Sequence, residues 1–397
     1  MKSFVKALII LCSFLIIPLL LFAQDRRDEQ TPGSYFPDYQ IEVFHDTATS
    51  EDVILPFIYN GYLYTFSLDQ GLLLWRIFIG GDLANPFTVK DRNLYLYDIY
   101  NRVYSIDIVY GVIRWKIEIQ NEIKGKISLY GNLLLVSTQW GYIYVMNTEN
   151  GKIVYEFSGK EDINTSFQIY KNLMIVPHKN GKVTAYNMDT KSIEWVFYSG
   201  GIISVSPVIK DGHIYFGDWD DTFYALDALT GKPLWVSYVG ENISRDFIVF
   251  AKEIILFFSK GQIICLGKDN GEIEWVKYFK NVEFSYNYFA GEDKFFIFTP
   301  DFIAIEPEDG QVIFNYRERA FNFYKEMLFE NMIEGEHPLS AEDRIRFLSE
   351  IYFTVSNYPL LPPVKTERNL IYFVTDNSYF YVYDPGQDFF ILKYKLN

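Results

Sequence analysis

One spacing constrains this chain more than any other feature. Trp75, Trp115, Trp195, Trp235 and Trp275 fall on a single 40-residue register, and Tyr155 fills the vacant place. Gly71, Gly111, Gly151, Gly231 and Gly271 stand four residues before these positions, with Lys191 as the exception and Gly310 continuing the series one residue short. Ten residues earlier still come Gly61, Asn101, Gly141, Gly181, Asp221 and Gly261. A period of this length sustained over six units marks a repeat architecture, in which each unit buries its apolar surface against its neighbours.

Within a unit the pattern is β. In the fifth unit, apolar stretches at 202–209, 213–217, 222–226 and 233–236 are separated by Gly, Asp and Asn turn chemistry. No window sustains a 3.6-residue apolar period, which sets aside helical repeats of similar length. Four short strands per 40 residues predict a propeller blade, with strands A to D running from the axis outward. The content of 35 Phe and 32 Tyr suits half-buried pleated surfaces, although a coding bias towards Phe, Tyr, Ile, Lys and Asn would also raise it. The turn between C and D has a shared form, Asp or Asn, three residues, then Gly. Examples are Asp107 to Gly111, Asn147 to Gly151 and Asp227 to Gly231. The aromatic residue four positions on enters strand D, where a large flat ring covers the gap between blades. Structural docking is therefore assigned to Trp75, Trp115, Tyr155, Trp195, Trp235 and Trp275.

The run Ala225-Leu226-Asp227-Ala228-Leu229-Thr230-Gly231-Lys232-Pro233-Leu234-Trp235 matches in full the Ala-x-Asp-x-x-Thr-Gly-x-x-x-Trp docking motif of quinoprotein-type (PQQ-like) propellers. The chain resembles that family over residues 42–318 and 358–397. Counting the units predicts an all-β, eight-bladed propeller of four-stranded blades, with blades 1–7 at 42–318 and blade 8 at 358–397. A seven-bladed ring with an appendage is the competing count. A WD-type propeller lacks its signature, since no Gly-His to Trp-Asp pattern recurs. Between blades 7 and 8, residues 319–357 are expected to form a helical hairpin. Phe321, Tyr324, Leu328 and Met332 share one helical face, and Ser340 with Asp343 resembles a capping box opening a second helix that carries Ile345, Leu348, Tyr352 and Val355.

The N-terminus reads as a secretory signal over residues 1–23: Lys2 and Lys6, then an apolar run from Ala7 to Phe22. The run approaches the length of a membrane span, so an uncleaved inner-membrane anchor facing the periplasm is the alternative. A flexible linker is expected at 24–41. The chain is thus expected in the periplasm, with no membrane insertion beyond that segment. Cys12 lacks a lipoprotein context and Cys265 lies in an apolar run, so a buried structural thiol is expected there.

Chemistry is sparse. Quinoprotein dehydrogenases hold their quinone on calcium beside an adjacent Cys-Cys pair; this sequence has no adjacent cysteines, and no position matches the calcium ligands. The four His are far apart. Asp218, Asp220 and Asp221 invite a calcium reading, but they sit at a B–C hairpin where turn acids are ordinary. No catalytic residue, metal site or cofactor is assigned. The net charge of −15 argues against nucleic acid and anionic lipid surfaces. In a four-stranded blade, B–C turns and D-to-A connectors open on one face. The B–C turns of blades 2, 3 and 5 carry Tyr100, Trp140 and Trp219, and the expected hairpin projects from the same face. These three residues are the candidate partner-binding set, unless the hairpin folds down and buries them. Among PQQ-like propellers the chain is most similar to the BamB-like periplasmic scaffolds of outer-membrane β-barrel assembly. That similarity implies a monomeric, non-enzymatic interaction scaffold with an envelope protein as partner. It departs from them in lacking a lipid-attachment Cys and in its expected hairpin. An envelope glycan-binding module is the competing reading.

Overall fold

The computed structural model describes residues 41–315 and 359–396, apart from short gaps within them. The expected leader (1–23), the linker up to residue 40 and the expected hairpin (319–357) lie outside the described residues. Eight antiparallel four-stranded sheets follow one another along the chain. Seven of them run A-B-C-D in chain order. In blade 5 the strands are Val208–Lys210, His213–Gly217, Thr222–Asp227 and Pro233–Tyr238. The inner strand is shorter than the apolar stretch 202–209. Residues 202–207 instead carry the chain inward, and their polar groups are used by neighbours. The Ile202 carbonyl accepts from Trp219 N at 3.0 Å and the Ser206 hydroxyl from Ser166 N at 3.1 Å. Pro207 has no N–H to give to a ladder.

Blade 1 is assembled differently. Its strands B, C and D are Ile54–Tyr59, Tyr62–Ser67 and Leu72–Phe78, and the fourth strand, Glu42–Val43, pairs on the outer side of D. Strand B is thus the innermost of this sheet among the described residues. Asn60 and Gly61 both have positive φ (49° and 76°), the type I′ geometry of a two-residue hairpin. The turn is closed by the Tyr59–Tyr62 pair, so the alternate residues Ile54, Pro56 and Ile58 aim their backbone groups away from strand C. Proline belongs on such an edge, because it has no donor to lose. The Pro56 carbonyl accepts from the Tyr372 hydroxyl of blade 8 at 2.8 Å.

The core is divided among the blade interfaces. Eight apolar clusters each join two consecutive blades. The last closes the ring, with Leu55, Phe57 and Phe66 of blade 1 packed on Tyr372, Phe380 and Val382 of blade 8. Phe57 and Phe380 stack at 4.4 Å.

At the outer rim a polar contact accompanies each apolar interface from blade 1 to blade 7, with one exception. The indole Nε1 of Trp75 donates to Ile108 O, of Trp115 to Thr148 O, of Trp195 to Ala228 O, of Trp235 to Lys268 O and of Trp275 to Pro307 O, at 2.9–3.2 Å. Every acceptor lies in the C–D turn of the next blade. That turn is shaped by its first residue: Asp227 Oδ1 accepts from Leu229 N (3.1 Å), Thr230 N (2.8 Å) and Thr230 Oγ1 (2.8 Å). The turn glycine lies against the same ring. A Cβ at Gly271 would stand 2.4 Å from Trp235 Cε3, and φ there is 71°. The two irregular places of the repeat are one contact. Lys191 replaces glycine where the preceding blade carries Tyr155, and its Nζ lies 4.2 Å from that ring's centroid. The smaller tyrosine leaves room for a side chain, and the ammonium sits on the ring face. Trp75 and Trp195 are buried, whereas Trp115, Tyr155, Trp235 and Trp275 are partly buried at the splayed rim.

Gly71 separates the two demands on this glycine. Its φ is 69°, but a Cβ there would meet nothing within 4 Å. Leu392 takes the tryptophan register position in blade 8. Gly271→Ala is expected to destabilise by about 1–3 kcal/mol more than Gly71→Ala, the added cost being overpacking against Trp235. Chemical unfolding of the two variants measures the difference, and equal losses would reduce the glycine's role to backbone conformation.

Candidate interaction face

The B–C turns repeat a four-residue plan. The first residue is buried in every unit from blade 2 to blade 6, as Asp98, Thr138, His178, Asp218 and Phe258. Its N–H donates to the carbonyl four residues on, as Asp98 N to Arg102 O (3.1 Å) and Asp218 N to Thr222 O (3.0 Å). The second residue bonds the preceding connector: Ile99 N to Ile79 O, Gln139 N to Glu122 O, Lys179 N to Asp162 O and Trp219 N to Ile202 O, at 2.9–3.0 Å. The fourth is the left-handed residue of the second marker series, including the non-glycines Asn101 (60°) and Asp221 (59°). Asn and Asp tolerate that conformation better than other side chains. The second and third residues form the tip of each turn.

All three candidate aromatics occupy tips. Trp140 is 58% exposed and Trp219 46%, among the largest apolar side chains left to solvent on this face. The Trp219 indole donates to the Ser204 hydroxyl of its own connector at 2.7 Å, which orients the ring while leaving it accessible. Tyr100 is half-buried, with the Arg102 guanidinium 5.1 Å from its ring centroid. The three stand on blades 2, 3 and 5, with blade 4 between the tryptophans. Ile99, 45% exposed beside Tyr100, belongs to the same surface and lacks the aromatic signal that marks the others.

Asp218, the buried member of the acidic cluster of blade 5, is committed to its turn. Asp218 Oδ1 accepts from Asp220 N (3.0 Å) and Thr222 N (3.2 Å), and Oδ2 from Gly201 N and the Tyr224 hydroxyl, both at 3.0 Å. Asp98, three periods earlier, is used the same way. Its carboxylate accepts from Tyr100 N, Arg102 N and the Tyr104 hydroxyl, and pairs with Arg102 Nη2 at 2.6 Å. A carboxylate that is buried and already surrounded by donors has few lone pairs left for a cation. Among the described residues, no group of three His, Cys, Asp or Glu side chains is placed to hold a metal ion. Asp218→Ala is expected to destabilise by about 1–3 kcal/mol, the cost of stranding buried donors. The loss should be the same with calcium added; a calcium-dependent melting temperature of the parent would assign the cluster to metal instead.

His178 holds the same turn position and is buried. Its Nε2 lies 3.2 Å from Thr184 Oγ1, and its Nδ1 faces the Glu161 carboxylate at 3.7 Å, which Lys182 Nζ also meets at 3.1 Å. Burial lowers the imidazole pKa, and the Glu161 charge opposes that only in part. Neutral His178 therefore favours the folded state above the ordinary value of 6.5, and this contribution is lost as pH falls through the lower folded value. His178→Gln should show a flatter decline of melting temperature with acidification below pH 6.5 than the parent. Parallel curves would remove His178 from the acid response. Cys265 is fully buried, and desolvation raises its thiol pKa well above the ordinary value, with Glu274 and Glu253 adding to the rise. That is the profile of an unreactive structural thiol.

With this geometry in place, the comparisons with known proteins bear on it as follows. The sequence matches the family described as outer membrane protein assembly factor BamB over residues 59–190 and 169–280, from strand B of blade 1 into the connector after blade 6. The outer membrane protein assembly factor BamB of Yersinia pestis is 36% identical over 73 residues. That stretch spans 18% of this chain and 18% of the relative. Among solved structures, BamB from Moraxella catarrhalis superposes with a TM-score of 0.51 at 15% identity, covering 65% of this chain and 80% of its own. The computationally designed Ika8 protein superposes with a TM-score of 0.60 at 10% identity, covering 80% of this chain and 88% of its own. A designed protein aligns over more of the chain than a natural relative does, so these superpositions carry the fold alone.

Proposed function

The chain belongs to the family of outer membrane protein assembly factor BamB, and from that premise we propose that it is a non-catalytic interaction scaffold of the bacterial cell envelope, contributing to outer-membrane protein assembly. The periplasm is its proposed location, in keeping with the apolar run from Ala7 to Phe22 read as an export signal. The observation that carries the reading is the contrast on the B–C face. Its buried carboxylates, Asp98 and Asp218, are spent on holding turns, while Trp140 and Trp219 stand at turn tips in solvent. Large aromatic residues at exposed, rigidly held positions supply contact area with little ordering entropy to lose. The proposed partner surface is Tyr100, Trp140 and Trp219, joined by Ile99. Tyr100, steadied by Arg102, would act as a fixed edge beside the two tryptophans. An acidic chain of net charge −15 suits a protein partner better than nucleic acid or an anionic membrane.

Exposed tryptophans also stack on sugar rings, so an envelope glycan is the second reading that the same residues favour. Pull-down from crosslinked envelope separates the two: barrel-assembly proteins among the captured partners support the first, and retention on isolated cell wall the second. Trp140→Ala with Trp219→Ala should reduce capture of the partner by about tenfold or more, as hot-spot aromatics do. Because both rings are exposed, the melting temperature should stay near that of the parent. Undiminished capture would remove the B–C face from the interaction.

A further inference from the structure

The outer wall of the ring carries a second repeat that the B–C face does not use. Blades 4, 5 and 6 end in Trp195-Val196-Phe197-Tyr198, Trp235-Val236-Ser237-Tyr238 and Trp275-Val276-Lys277-Tyr278. The Val and the Tyr of each are exposed, the three tyrosines by 69–71%. These residues belong to D strands, the outermost of their sheets, whose outer edges have no partner strand among the described residues.

Blade 1 shows what covers such an edge in this molecule. Its D strand is extended by Glu42–Val43, antiparallel, with Val43 opposite Trp75 and Glu42 opposite Arg76. The Arg76 guanidinium meets the Glu42 carboxylate at 2.7 Å and lies over the rings of Phe44, Tyr62 and Tyr64. By repeat register Trp235 stands where Trp75 does, and Val236 stands where Arg76 does. Among D strands of six residues or more, that of blade 5 (Pro233–Tyr238) alone carries no charge. Its one proline is the first residue. Charged residues and interior prolines are the usual guards of a sheet edge, and this edge has neither.

We propose that the outer edge of blade 5 accepts an added antiparallel β-strand from another polypeptide. The incoming segment is extended and presents apolar residues opposite both Trp235 and Val236. Complementarity sets that composition. In blade 1 a carboxylate answers Arg76; opposite Val236 a carboxylate would lose water and gain no partner, so an apolar residue belongs there. Main-chain bonds supply the affinity and the two side-chain places supply the selectivity, as in other strand-addition complexes. The edge lies on the outer wall rather than at the B–C tips, so the two surfaces can be occupied together.

The test uses the full chain and two labelled seven-residue peptides copying residues 40–46, one unchanged and one with Glu42→Val. The Glu42→Val peptide should bind more tightly and slow amide hydrogen exchange over residues 233–238. Val236→Glu should weaken its binding by about tenfold or more, the charge now facing an apolar residue. Val236→Lys should reverse the preference towards the unchanged peptide. Val236 is 56% exposed, so both variants keep the fold, which an unaltered melting temperature verifies. The proposal is overturned if Val236→Glu binds like the parent. Protection confined to residues 72–78, where a peptide would merely displace the chain's own strand, also overturns it, as does protection on the B–C turns.

Discussion

The ring depends on one contact made repeatedly: an aromatic ring at the end of one blade seated on the C–D turn of the next. Its indole N–H reaches a turn carbonyl at 2.9–3.2 Å while its face lies on the turn glycine. The contact couples two sheets that share no backbone hydrogen-bond ladder. It also explains why aspartate or asparagine, glycine and tryptophan recur together. The first builds the turn, the second lets it approach, and the third crosses to it. The pair of Tyr155 with Lys191 supports this account, because both partners depart from the pattern at the same interface. Stability in such a ring lies mostly between blades rather than within them.

Closure follows from the same logic with different residues. Among the described residues blades 8 and 1 exchange no strand; they meet through Phe57, Phe66, Tyr372 and Phe380, and the Tyr372 hydroxyl answers the Pro56 carbonyl. The strand Glu42–Val43, which precedes blade 1 in the chain, pairs with the outer edge of that blade and not with its inner one. Pro56 is suited to that arrangement, since an inner partner strand would have found no donor at its position. The outer addition makes blade 1 the only blade whose rim is visibly sealed among the described residues. Seen beside it, the edge of blade 5 is open and charge-free, a composition that among the D strands only the four-residue Val312–Asn315 of blade 7 shares.

Two kinds of residue, buried carboxylates and exposed aromatic rings, share the B–C face and do different work. Asp98 and Asp218 are buried and surrounded by turn donors, which makes them parts of the scaffold. Trp140 and Trp219 sit one or two residues later in their turns and stand in solvent. A rigid turn with an exposed ring at its tip is a suitable element for recognition, and family membership supplies the context for it. The turns of the face are held by their own hydrogen bonds, and its exposed rings are the proposed points of contact.

Much of this protein was legible in the sequence because its signals are local and repeated. The 40-residue register gave six blades, strand-like stretches on either side of residues 319–357 suggested two more, and the Asp-x-x-x-Gly turns gave the C–D corners; the eight sheets set aside the seven-bladed count. Tip aromatics could be placed on one face because strand alternation fixes which turns point together. Asp218 was also readable as turn chemistry, since it opens a B–C hairpin. What the sequence could not reveal depends on contacts between distant residues. It showed two irregular positions, Tyr155 and Lys191, thirty-six residues apart; only packing shows that they touch. It showed a proline at position 56 without showing that its strand is the inner edge of the sheet among the described residues. It marked His178 only as one of four scattered histidines, whereas burial beside Glu161 and Lys182 decides its proton affinity. Period and turn residues therefore determined the architecture, because backbone preferences act over a few residues. Ring closure, the paired exceptions and the open edge of blade 5 were decided in three dimensions, because each depends on which side chains and edges another part of the chain covers.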